Sequence, residues 1–198
     1  MKRYLTGARR VVVFDPLGEY QAEGFKPLEH RAGGLDAVRV AMRDNWSGFR
    51  LAYVPPAGKE AAALSGLSRL LMKAQTPYFN GGGGPQMTLV VEEMNLSFPV
   101  AGGVEKAAGF ADICSRGRHY GIEVVGVSQR IAEVATRFRG NCTETVVFAQ
   151  KGPRDVAAAA AELGTDQGRI KALQALQYLH EIGGKVEAGE ITFKKARR

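Results

Sequence analysis

The chain has 198 residues, 45% of them hydrophobic and 24% charged, and 27 Lys and Arg against 20 Asp and Glu give a formal net charge of +7. That is room for one domain with a sizeable core, in the balance of a soluble globular protein, and its basic excess permits a polyanionic partner. Two cysteines without CxxC spacing exclude a disulfide framework and a cysteine zinc site, no apolar run reaches the roughly 20 residues of a membrane helix, and the basic start lacks the apolar stretch of a signal peptide; a reducing, cytoplasmic setting follows.

Short apolar runs alternate with helix-period segments, which predicts an α/β fold around a mainly parallel sheet. Val11-Val12-Val13-Phe14 is the first strand, closed by the turn residues Asp15-Pro16-Leu17-Gly18. A helix over residues 35–44 precedes a second strand, Leu51–Val54, which stops at Pro55-Pro56. From Glu60 to Gln75, Leu64, Leu67, Leu70, Leu71 and Ala74 recur at helical spacing. The glycine block Gly81–Gly84 reads as a flexible connection into the buried strand Thr88–Val91. A helix over Glu105–Arg116 and strands at Glu123–Val127 and Thr145–Ala149 follow. Pro153 and Asp155 open a helix that Gly164 ends, and a short helix covers Asp166–Ala175. Tyr178–Phe193, with a turn at Gly183-Gly184, forms a closing hairpin before the basic tail Lys194–Arg198.

The sharpest local feature is Leu89-Val90-Val91-Glu92-Glu93, a buried strand ending in two carboxylates. Successive strand residues point in opposite directions, so the two acids can serve two tasks. Glu92 can reach a magnesium ion through water, and Glu93 can activate an attacking water. This is the logic of a Walker B site. The plain alternative is the start of a solvent-exposed loop.

Three further segments occur in a telling order. Val11–Tyr20 reads V-V-V-F-D-P-L-G-E-Y; Ser115–Gly121 runs into Ile122–Arg130, a strand ending in Ser128-Gln129; and Thr145–Phe148 is followed by Gly152–Asp155. With the acidic pair, these resemble the HerA/FtsK-type P-loop ATPases over nearly the full length. The compact size is most similar to the genome-packaging ATPases of tailless viruses with an internal membrane. The resemblance implies a RecA-like three-layer sandwich with a mainly parallel central sheet and a C-terminal hairpin. In it, the Gln129 strand lies between the P-loop strand and the Walker B strand. Glu93 is then the general base, Glu92 the magnesium partner, and Gln129 a γ-phosphate sensor. Arg118 or Arg116 is an arginine finger reaching a neighbouring subunit. Asp15 either orders the nucleotide site or caps its own turn. The implied cofactors are ATP and Mg2+. The implied partners are double-stranded DNA, further copies in a hexameric ring, and a capsid vertex or membrane protein; the implied locations are the cytoplasm or a packaging vertex of the virion.

One motif departs from the pattern. A P-loop needs G-x-x-x-x-G-K-[S/T], and Gly58-Lys59 and Gly184-Lys185 lack the rest of it. Residues 1–198 are therefore expected to be a single ATPase domain without its P-loop strand and loop, Met1–Arg9 being the tail of the helix after that loop. A complete βαβ unit needs roughly 30 residues, so the loop is expected upstream of Met1. Glu92 also stands where Asp is usual. Two other readings stay open: a non-hydrolysing DNA-binding or assembly subunit, and a Zot-type phage assembly ATPase, which normally adds a membrane anchor.

Overall fold

The computed structural model describes residues 5, 7–20, 24–30 and 33–192. The basic tail, Phe193 and most of the expected helix tail at Met1–Arg9 lie outside the described residues; Leu5 and Gly7 lie in turns. The chain divides into two compact units, residues 1–129 and 130–198.

The first unit comprises β1 (Arg10–Phe14), β2 (Lys26–Glu29), α1 (Gly34–Asp44), β3 (Phe49–Val54), α2 (Glu60–Ala74), β4 (Met87–Val91), α3 (Met94–Ser97), α4 (Gly103–Lys106), α5 (Ala108–Arg116) and β5 (Ile122–Gly126). Its five strands form one sheet in the order β2-β3-β1-β4-β5, with every neighbouring pair parallel. Every residue of β1 and of β4 is buried. Parallel strands covered on both faces read as continuous apolar runs, which is why Val11–Phe14 and Thr88–Val91 were legible. Val11, Val13, Ala52 and Val90 share one core cluster, and the alternating Val12, Phe14, Leu51 and Leu89 are equally buried.

Two elements differ from the sequence reading. The edge strand β2 was not predicted: only Leu28 of its four residues is buried, and Pro27 is tolerated because the strand pairs on one side only. The predicted helix over Glu105–Arg116 is two helices, broken at Ala107, whose φ of −115° and ψ of 47° are not helical. Helix α2 follows its pattern, with Leu64, Leu67 and Leu71 fully buried. Gly109 of α5 packs on it, its N–H donating to Ser65 Oγ at 2.9 Å.

The second unit comprises α6 (Thr136–Arg139), β6 (Glu144–Phe148), α7 (Pro153–Leu163), α8 (Gln167–Lys171), β7 (Gln177–Ile182) and β8 (Lys185–Glu190). Its sheet is antiparallel in the order β6-β7-β8. Gly183 and Gly184, at φ 58° and 79°, turn the β7–β8 hairpin, two left-handed positions that glycine fills without strain. Val147, Val156, Ala159, Leu163, Ile170 and Leu179 form the unit's core. Helix α7 opens on Pro153 and ends at the left-handed Gly164, as its sequence predicts. Asp155, buried in its first turn, accepts from Arg130 Nη2 at 3.2 Å. Both cysteines are half-buried rather than core residues, and burial, with Glu162 adding to it, pushes the Cys142 thiol up to about 11.

Candidate functional site

The carboxyl ends of β1, β4 and β5 are level. Phe14 is in register with Val91, and Val91 with Gly126. The ladder continues past the strand ends: Glu92 N–H donates to Phe14 O at 3.0 Å, Val127 N–H to Val91 O at 2.9 Å, and Met94 N–H to Val127 O at 2.9 Å. These bonds hold Asp15, Glu92, Glu93, Ser128 and Gln129 along one edge.

Glu93 has φ 46° and ψ 52°, a left-handed conformation that it shares only with Leu176 among the described non-glycine residues. Such a backbone costs about 1–3 kcal/mol and persists where its surroundings impose it, often at functional sites. Here it turns the chain from β4 into α3. Gln129 Nε2 donates to Glu93 Oε1 at 2.8 Å. Beside this pair, Ser128 Oγ donates to Asn95 Oδ1 at 3.2 Å.

Glu92 is half-buried and accepts a hydrogen bond on Oε1 from the Tyr20 hydroxyl. Burial raises its carboxyl above the ordinary carboxylate range; the Tyr20 hydrogen bond lowers it, and Asp15, Glu93 and Glu19 raise it further. An acid raised on folding contributes no pH term well below its unfolded value, and its ionisation costs stability as pH rises through the raised one. A Glu92→Gln protein should therefore melt higher than the wild type at neutral pH. The gain should vanish below about pH 4, the unfolded carboxylate range; an equal difference at both pH values would show that ionisation is not the cause.

Asp15 is 2% exposed, and its carboxylate is committed to the turn that follows it. Oδ1 accepts from the Gly18 and Glu19 N–H groups at 3.0 and 3.2 Å, and Oδ2 accepts from Tyr20 N–H at 3.0 Å. Of its two sequence readings, this is the geometry of the turn. Among the described residues, no group of three or more His, Cys, Asp and Glu could hold a metal ion by itself. Magnesium does not need one, because it keeps several waters and takes one or two carboxylates together with substrate phosphates. Glu92, a hard oxygen donor on the edge, fits that chemistry.

The fold has relatives of known structure. The chain is similar to the genome packaging NTPase B204 from Sulfolobus turreted icosahedral virus 2, determined in complex with AMPPCP, at a TM-score of 0.72 and 13% identity over 98% of this chain and 93% of that one. VirB4 of Thermoanaerobacter pseudethanolicus is similar at a TM-score of 0.66 and 13% identity, over 98% and 84%. The bacterial conjugative coupling protein TrwB follows at 0.56 and 14%, over 80% of this chain and 44% of that one. All three are HerA/FtsK-type P-loop ATPases. The chain has their fold. No protein-family model matches the sequence, and no curated protein matches it.

Within the HerA/FtsK-type fold, the expected sensor strand is β5, which pairs with β4 on one side as expected; along its other edge no strand is paired among the described residues. Arg116 and Arg118 precede β5, while Gln129 follows it, so at about 3.3 Å per residue the strand keeps them more than ~13 Å apart. Both arginines are exposed, and Arg116 pairs with Asp112 at 3.4 Å. They are thus on the far edge of the sheet from their own chain's Glu93. Sequence reasoning gave no role to Tyr20 or Asn95; the one available signal for Tyr20 was its place at the end of the D-P-L-G-E-Y turn.

Proposed function

We propose that the chain is the body of an ATP-driven motor that moves double-stranded DNA and packages a viral genome. The observation that carries the reading is the paired edge: Glu93 hydrogen-bonded to Gln129, beside a half-buried Glu92, on a HerA/FtsK-type fold. Glu93 acts as the general base that orients and deprotonates the attacking water. Gln129, already in contact with it, couples the state of the γ-phosphate to the base. Glu92 is the side chain that meets the waters of a magnesium ion, whose role when bound is to neutralise phosphate charge. Asp15 supports the site by ordering the turn at its margin.

The phosphates require a cradle of backbone N–H groups and a lysine. We place it on a strand–loop segment seated along β5, since residues 1–198 hold no G-x-x-x-x-G-K-[S/T]. Arg118, with Arg116 the other choice, serves a neighbouring subunit of a hexameric ring, since its position on the far edge excludes its own site. B204 is a genome packaging NTPase, and the other relatives include a conjugative coupling protein, so DNA movement is the reading common to them.

DNA contact in such a motor goes to phosphates through Lys and Arg. For six neutralised phosphates, duplex affinity should fall about 10³-fold between roughly 50 and 200 mM salt. Fluorescence anisotropy of a labelled duplex across that range tests it, and binding that ignores salt would argue against a DNA motor. The second reading, a non-hydrolysing DNA-binding subunit, is favoured by one observation, the lack of a G-x-x-x-x-G-K-[S/T] segment in these 198 residues.

A further inference from the structure

Tyr20 joins the D-P-L-G-E-Y turn to the acidic pair. Its hydroxyl donates to Glu92 Oε1 across 72 residues of sequence. Both ends of that bond are tied to β1. Glu92 N–H is held by Phe14 O at 3.0 Å, and Tyr20 N–H is held at 3.0 Å by Asp15, the next residue after Phe14. The tyrosine ring is fixed as well: it meets Phe25 edge-on, with centroids 5.3 Å apart and planes at 86°. Phe25 is 4% exposed, and the Arg50 guanidinium lies 4.4 Å from its ring centre on the sheet. A half-buried glutamate without such a partner would sample several rotamers; here one oxygen is claimed and the side chain is aimed.

We infer that Tyr20 is a positioning residue for Glu92: its hydroxyl takes Oε1 and presents Oε2 to the site, and the Asp15 turn serves to deliver it. This explains why a fully buried Asp15 spends its carboxylate on three consecutive backbone N–H groups rather than on a ligand. Its functional half rests on the ATPase reading above; the contact itself does not. Groups that orient a carboxylate near a metal typically change affinity or activity about 10- to 100-fold when removed.

The Tyr20→Phe protein keeps the ring and its contact with Phe25 and loses only the hydroxyl. In protein labelled with carbon-13 at the glutamate carboxyl, the Glu92 signal, assigned through Glu92→Gln, should move while the other glutamates stay. The melting temperature below about pH 4, where Glu92 is protonated in both states, should stay as well. An unmoved Glu92 signal overturns the inference. With the phosphate-loop segment present, steady-state ATP hydrolysis should lose about 10- to 100-fold in kcat, with KM for ATP kept within about twofold. An unchanged kcat overturns the inference, as does a loss of kcat and of ATP affinity together with a lower melting temperature below about pH 4, which assigns the tyrosine to the fold alone. If the wild type binds ATP nowhere, the ATPase reading falls, and the carboxyl signal still decides whether Tyr20 positions Glu92.

Discussion

A Glu93→Gln protein, carrying the phosphate-loop segment, should bind ATP as the wild type does and hydrolyse it about 10²- to 10⁴-fold more slowly, the usual cost of losing a positioned base. The substitution isolates charge from shape. Glutamine keeps an acceptor oxygen for the Gln129 amide, which now sits 2.8 Å from Oε1. It also tolerates the left-handed backbone at φ 46° no worse than glutamate does. What disappears is the ability to take a proton. Single-turnover hydrolysis beside an equilibrium binding measurement separates the two properties. Retained hydrolysis would remove Glu93 from the mechanism; lost binding would mean that the carboxylate holds the site together instead.

The second large effect concerns the scaffold. A Cβ placed on Gly109 would fall inside the van der Waals distance of the Ser65 carbonyl oxygen and 3.1 Å from its carbon, with Arg69 Cγ at 3.0 Å. The obstacle is backbone of α2, which cannot swing aside as a side-chain tip can. Gly109→Ala must therefore push α5 away from α2 and weaken the bond from its N–H to Ser65 Oγ. Overpacking of this kind costs about 1–3 kcal/mol. In urea unfolding the midpoint should fall with an unchanged slope, since the surface exposed on unfolding is the same. Because α5 leads directly to Arg116, the same variant should also disturb the loop that carries Arg118. A midpoint equal to that of the wild type would show that the helices separate freely here.

The contrast between what the residues announced and what they concealed follows from range. β1 and β4 were readable because central parallel strands need apolar side chains on both faces, and β5, at the end of the described sheet with only Ile122 buried, was readable from its β-branched Ile122, Val124 and Val125. Glu92 and Glu93 were readable because they interrupt the apolar run of β4, whereas Gln129 was marked only by the resemblance of its segment to the HerA/FtsK-type ATPases. β2 carries a single buried side chain, Leu28, and a proline, so no period marks it. The break at Ala107 sits inside a segment whose apolar spacing is helical throughout. The Tyr20–Glu92 bond joins residues far apart in sequence, and no local pattern encodes such a pairing. The left-handed turn at Glu93 is likewise fixed from outside, between the bond of Val127 N–H to Val91 O on β4 and that of Met94 N–H to Val127 O on α3. Arg116 and Arg118 were correctly read as preceding the Gln129 strand, but a finger is defined by the subunit it enters, and one chain contains no such neighbour.

The motor reading turns on whether duplex DNA and ATP turnover are coupled. Hydrolysis should be measured for the chain with its phosphate-loop segment, at increasing duplex DNA and low salt. The expected result is a rate that rises with DNA, saturates, and collapses in Glu93→Gln. Firm ATP binding and duplex binding without any hydrolysis would contradict it and leave the chain as a DNA-binding assembly subunit.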